Sequence, residues 1–158
     1  MLFSSKPRDI LGLQLGQDAA EAAARWNLHC EQWRPWEGGE EFETCSDISA
    51  PVDAFGAPAD ARLIRKNGTL EAIQLTFRNC TDTWDRLRIA VSSEFHLQPP
   101  DDTGIYQAWR SGEVIHLAPD RRDNTCTLTI GRGEFGRAFQ SYQLRQGLAG
   151  LGSGLRPH

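Results

Sequence analysis

Two stretches of this chain are written as β-hairpins, and a hairpin constrains a fold more tightly than any other short signal. Its turn chemistry fixes strand register, and register fixes which side chains share a face. The first runs Ala61-Arg-Leu-Ile-Arg-Lys-Asn67-Gly68-Thr-Leu-Glu-Ala-Ile-Gln-Leu-Thr-Phe77. The second runs Ile105-Tyr-Gln-Ala-Trp-Arg-Ser111-Gly112-Glu-Val-Ile-His-Leu117. Asn-Gly meets the positive φ angles of a type I′ turn, and Ser-Gly is a weaker form of the same signal. A helix is expected ahead of each hairpin. Such a unit, used twice, suggests a binding surface more than a catalytic pocket.

The rest of the chain fits round these hairpins. Residues 1–9 read as a flexible lead, and Ile10 to Gly16 as a short extended segment. Asp18 can cap a helix with Glu21 as its capping-box partner, and Ala19, Ala20, Ala22, Ala23, Ala24, Trp26 and Leu28 carry that helix to about His29. Two strands are expected between 31 and 48, turning at Gly38-Gly39, and Ala50 to Ala61 reads as a loop. A second helix is predicted from Cys80, capped by Asp82 with Asp85 in its first turn. Trp84, Leu87, Val91 and Phe95 fall at spacings of three and four along it. Gln98-Pro99-Pro100 ends that segment. After the Ser-Gly hairpin, Asp120 to Asn124 is a loop and Thr125 to Ile130 a β-branched strand. The expected fold class is therefore α+β: two helix-plus-antiparallel-sheet units in tandem, forming one compact domain. The units are 10–79 and 80–146, with a disordered tail at 147–158.

The four cysteines, Cys30, Cys45, Cys80 and Cys126, contain no C-x-x-C pair, so a structural zinc site or a thioredoxin-type motif has little support. They allow three disulfide connectivities. The economical one, Cys30–Cys45 with Cys80–Cys126, places one bridge in each unit. Two disulfides would imply an oxidising compartment. Met1 to Arg8 lacks the apolar core of a signal peptide. Two localisations stay open: periplasm or cell envelope, and cytoplasm with four free thiols.

Net charge is −4, and lysine occurs at Lys6 and Lys66 only, so arginine carries the positive charge. An acidic chain with scattered Arg is a poor binder of phosphate backbones, which argues against a nucleic-acid partner. No apolar run approaches the roughly 20 residues of a transmembrane segment. Gly131-Arg-Gly133-Glu-Phe-Gly136 spells G-x-G-x-x-G, but no βαβ unit with an acidic residue about 20 positions on can follow it before His158, so the glycines read as a turn or bulge. His29, His96, His116 and His158 show no metal-ligand spacing, Glu40-Glu41-Phe42-Glu43 reads as a solvated carboxylate run, and no nucleophile elbow is present. The sequence supplies no catalytic residue, no metal ligand set and no cofactor motif.

Leu11-Gly-Leu-Gln-Leu-Gly-Gln-Asp18 followed by an Ala-rich helix resembles the opening of small bacterial envelope lipoproteins. The Trp109-x-x-Gly112-x-Val-x-x-Leu117 hairpin is similar to the sheet segment of the same proteins. Two such units, each with a cysteine pair, resemble the secreted beta-lactamase-inhibitor protein and its architectural relatives over about residues 10–135. The resemblance implies an aromatic-rich concave sheet that grips a partner protein. The missing leader and lipobox cysteine depart from that pattern. The expected function is thus a non-enzymatic module of the bacterial envelope or periplasm that binds a protein or peptide partner. Trp33, Trp36, Tyr106 and Trp109 are its expected contact residues, since Trp and Tyr dominate interface hot spots. The alternative is a cytoplasmic immunity-type or adaptor protein that binds a basic effector. Trp26 and Trp84 read as core packing.

Overall fold

The computed structural model describes residues 11, 13–18, 28–34, 39–47, 51–100, 102, 104–110, 112–132, 135–136 and 138–139. Its elements are β1 (Leu28–Trp33), β2 (Phe42–Asp47), β3 (Val52–Ala54), β4 (Ala57–Lys66), β5 (Thr69–Arg78), α1 (Cys80–Phe95), β6 (Tyr106–Arg110), β7 (Glu113–Asp120) and β8 (Thr125–Arg132). All eight strands belong to one sheet of order β1-β2-β4-β5-β8-β7-β6, with β3 also on β4. Every pairing is antiparallel. Strands β2 and β3 lie end to end along the same side of β4: β2 pairs with Arg62 to Arg65 and β3 with Ala57 to Ala59.

This architecture overturns the expected α+β tandem of two helix-plus-sheet units. The two halves are not separate sheets. Strands β5 and β8 pair from Ala72↔Gly131 to Arg78↔Thr125, which joins the hairpins into a single surface. The physical reason lies in β5. A ten-residue strand held only by its hairpin partner would leave a line of backbone donors and acceptors without partners. Its side chains at Leu70, Ala72, Ile73, Leu75 and Phe77 are all buried, which an edge strand would not achieve. Among the described residues α1 is the one long helix, and Phe135, Gly136, Ala138 and Phe139 are also helical. The helix expected over 18–29 falls mostly outside the described residues, and its last two positions, Leu28 and His29, open β1 instead. The lead at 1–9, the tail at 147–158 and Trp36 also lie outside the described residues.

The turns follow their residues closely. Asn67 and Gly68 sit at φ +52° and +77°, as a type I′ turn requires. The segment expected as a loop over 50–61 is a further tight hairpin: Phe55 and Gly56, at φ +51° and +81°, join β3 to β4. Pro58 sits in β4 opposite Asp53, near the start of the strand, where proline is tolerated in a sheet.

The core lies on one face of the sheet. Register places Cys30, Cys45, Leu63, Ile73, Ile130, Ile115 and Ala108 in one row across seven strands. Ala61, Leu75, Leu128, Leu117 and Tyr106 form the next row. Helix α1 turns Leu87, Val91 and Phe95 into the same cluster. The opposite face is divided. One end carries a small second cluster of Phe42, Ile64, Ala72 and Phe135, flanked by Trp33 and Phe139. Alongside runs a polar row, His29, Ser46, Arg62, Gln74, Thr129, His116 and Gln107, again in register across seven strands.

Cys30 is bonded to Cys45, and Cys80 to Cys126. The first bridge joins directly opposed residues of β1 and β2. The second ties the first residue of α1 to the second residue of β8, so it crosses from the helix to the sheet beneath.

Candidate functional site

The start of α1 is assembled from two distant loops. An α-helix leaves four N–H groups without intrahelical partners at its N-terminus. Asn79, in the left-handed region at φ +57°, makes no side-chain cap, but its carbonyl accepts from the N–H groups of Asp82 (3.0 Å) and Thr83 (3.2 Å). The N–H groups of Cys80 and Thr81 donate to Asn124, in the turn between β7 and β8. Cys80 N–H reaches its carbonyl at 3.0 Å, and Thr81 N–H its Oδ1 at 2.9 Å. The Thr81 hydroxyl donates to the same Oδ1 at 2.8 Å. Asn124 itself is left-handed at φ +53°. Asp120 shapes this turn, its Oδ1 accepting from Arg122 N–H at 3.0 Å and Asp123 N–H at 3.4 Å.

A cleft of about 550 Å³ opens beside this junction, lined by the residues that build it together with Trp84, Pro100, Gly104, Tyr106, Pro119 and Arg121. The volume lies in the range of small-ligand sites. Trp84 comes from α1 and Tyr106 from β6, and their rings lie 5.9 Å apart at 58°. The Arg88 guanidinium lies 6.0 Å from the centre of the Tyr106 ring, within reach of a cation–π contact. Two prolines and two aromatic rings make an apolar box, and the 120–124 turn supplies its polar rim. That combination, an apolar cavity with few convergent polar groups, is the common form of a binding site.

The contact residues expected from sequence are spread over the molecule. Tyr106 is in the cleft, on the helix-bearing face. Trp109, three residues further on, points to the opposite face and is 52% exposed on the outer strand β6. Trp33 is on β1 at the other end of the strand order. It packs on Phe135, ring centres 6.4 Å apart, with the Arg62 guanidinium 5.6 Å over its ring. Six strand spacings separate β1 from β6, so Trp33 and Trp109 belong to opposite ends of the strand order. Sequence reading missed Trp84 as a site residue, along with Thr81, Pro100, Pro119, Arg121 and Asn124. Part of the cleft was within reach. The register of β6 on β7 sets Tyr106 opposite Leu117, and Pro119 is the next residue of β7 on that face.

Two other arrangements resolve into structure. Cys30, Cys45 and Glu43 bring two sulfurs and a carboxylate oxygen within 4.8 Å of one another. The sulfurs are consumed in their mutual bond and Glu43 is paired with Arg65, so this trio is no metal centre as it stands. Of the glycine-rich motif, Gly131 lies in β8 of an antiparallel sheet, without the parallel crossover that a dinucleotide fold needs. Its lack of a side chain admits Phe135: a Cβ built at Gly131 would lie 2.8 Å from the Phe135 ring.

No family model, curated protein or solved structure matches the chain. Among the described residues no helix is long and apolar enough to cross a membrane.

Proposed function

We propose that this protein is a non-enzymatic binding module of an oxidising compartment, the bacterial periplasm or cell envelope, that captures a protein or peptide partner. The reading rests on the cleft between Trp84 and Tyr106. It would seat one large apolar or aromatic side chain of the partner, burying it against two rings and two prolines. Rigid aromatic walls favour such an anchor because they bury much area and lose little rotamer freedom on binding. The two disulfides support the compartment, since such bonds persist where thiol reductants are scarce.

Panning a random peptide display library against the oxidised protein tests this. Enriched peptides should share an aromatic or bulky apolar residue. Their affinity should fall at least about tenfold in Trp84→Ala or Tyr106→Ala, which is about 1.4 kcal/mol. Trp109→Ala tests the competing surface on the opposite face, where a hot-spot role for Trp109 would cost about 2 kcal/mol or more. Circular dichroism confirms that each variant is folded. The reading fails if nothing is enriched, or if enriched peptides bind the Trp84 and Tyr106 variants as they bind the parent.

A further inference from the structure

We infer that the residue seated in the cleft is the last of its chain, an aromatic residue whose own carboxylate is held by the 120–124 turn. The inference rests on the cleft reading above and adds the polar half of the ligand.

Four observations carry it. First, Arg121 lines the cleft, and among the described residues its guanidinium forms no ion pair. Second, the Oδ1 of Asn124 is occupied by the two Thr81 donors, which turns the amide Nδ2, a donor of two hydrogens, away from that contact. Third, the neighbouring acid, Asp120, lines the same cleft but commits its Oδ1 to the N–H groups of Arg122 and Asp123. Fourth, the positive end of the α1 dipole lies at Cys80 and Thr81, both in the cleft wall. The rim thus offers a cation and an amide donor suited to an anion, with one carboxylate, that of Asp120, beside them. The wall offers Trp84, Tyr106, Pro100 and Pro119, all suited to a ring. A C-terminal aromatic residue carries both groups on one Cα, and a cleft of about 550 Å³ accommodates them together.

The experiment uses the oxidised full-length protein and three probes: N-acetyl-glycyl-tryptophan as the free acid, the same compound as its amide, and a doubly capped peptide with an internal glutamate beside the tryptophan. Binding is followed by NMR at the Trp84 indole N–H, assigned with Trp84→Phe. The free acid should bind roughly three- to tenfold more tightly than the amide, as expected for one charge-assisted contact at a partly exposed rim. That preference should disappear in Arg121→Gln and shrink in high salt. Equal binding of acid and amide overturns the carboxylate assignment while leaving the cleft reading intact. Equal binding of the free acid and the internal-glutamate peptide overturns the terminal specificity. If no probe shifts the Trp84 signal at about 10 mM, both this inference and the cleft reading fall.

Discussion

Asn124 is the residue at which fold and cleft meet, and its substitution separates three contributions that the geometry superimposes. Its carbonyl bond to Cys80 N–H survives any side-chain change. Its Oδ1 accepts both Thr81 donors, at 2.9 and 2.8 Å, and acts as a helix cap supplied 43 residues away in sequence. Loss of an N-terminal cap costs about 1 kcal/mol. Its backbone is left-handed at φ +53°, where a residue with a Cβ but no local polar group costs a further 1 kcal/mol or so. Asn124→Ala loses both and should destabilise the protein by about 2–3 kcal/mol. Asn124→Gly loses the cap but is at ease at positive φ, so it should cost only about 1–1.5 kcal/mol after its extra chain entropy. Asn124→Asp retains the acceptor and tolerates the conformation. It adds a negative charge at the positive end of α1, worth about 0.3–1 kcal/mol, and should come out neutral or slightly stabilising.

Urea unfolding under non-reducing conditions, at constant m, measures the series. The expected rank is aspartate at or above asparagine, then glycine, then alanine. If alanine and glycine are equal, the left-handed backbone carries no cost and the strain argument is wrong. If aspartate falls with alanine, the Oδ1 contacts do not hold the helix, and the cleft wall built on them loses its support.

Gly131→Ala should destabilise by about 1–3 kcal/mol in thermal unfolding, because its Cβ meets Phe135 on one side and Ala72 Cβ, at 3.6 Å, on the other; a variant as stable as the parent would show that Phe135 has room to withdraw. The two disulfides should differ in worth. Chain-entropy arithmetic gives about 4 kcal/mol for Cys80–Cys126, across 46 residues, and about 3 kcal/mol for Cys30–Cys45, across 15. Paired Cys→Ala variants compared by urea unfolding check the order, and a costlier loss at Cys30–Cys45 would reverse it.

What could be read in the sequence was what neighbours decide. Asn67-Gly68 lies between the strands it was expected to join, and β6 and β7 pair as the second hairpin up to Arg110↔Glu113. The spacing of Leu87, Val91 and Phe95 marked the buried stripe of α1, because a helix repeats within its own length. The misreadings came where distant partners decide. Asp82 looked like the cap of α1, yet the helix begins at Cys80 and takes its side-chain cap from Asn124. Pro51, Gly56 and Pro58 made 50–61 look like a loop, although Phe55-Gly56 turns as tightly as Asn-Gly does. Tyr106 and Trp109 were grouped as one surface, but an odd number of residues between two strand positions is needed to keep them on one face, and only two intervene.

The same long-range pairing accounts both for the corrected fold and for the site. Local patterns describe each hairpin without saying which strand its outer edge will find, so two hairpins read as two units. Once β8 pairs with β5 rather than closing a second sheet, the turn before β8 is carried to the place where the chain leaves β5 and enters α1. Asn124 then reaches Thr81, and Cys126 reaches Cys80. Strand β7, continuous with that turn, brings Pro119 and, through β6, Tyr106 beneath Trp84. The cleft is therefore a product of the β5–β8 junction. A substitution that weakens this junction should loosen the cleft walls before it disturbs either hairpin.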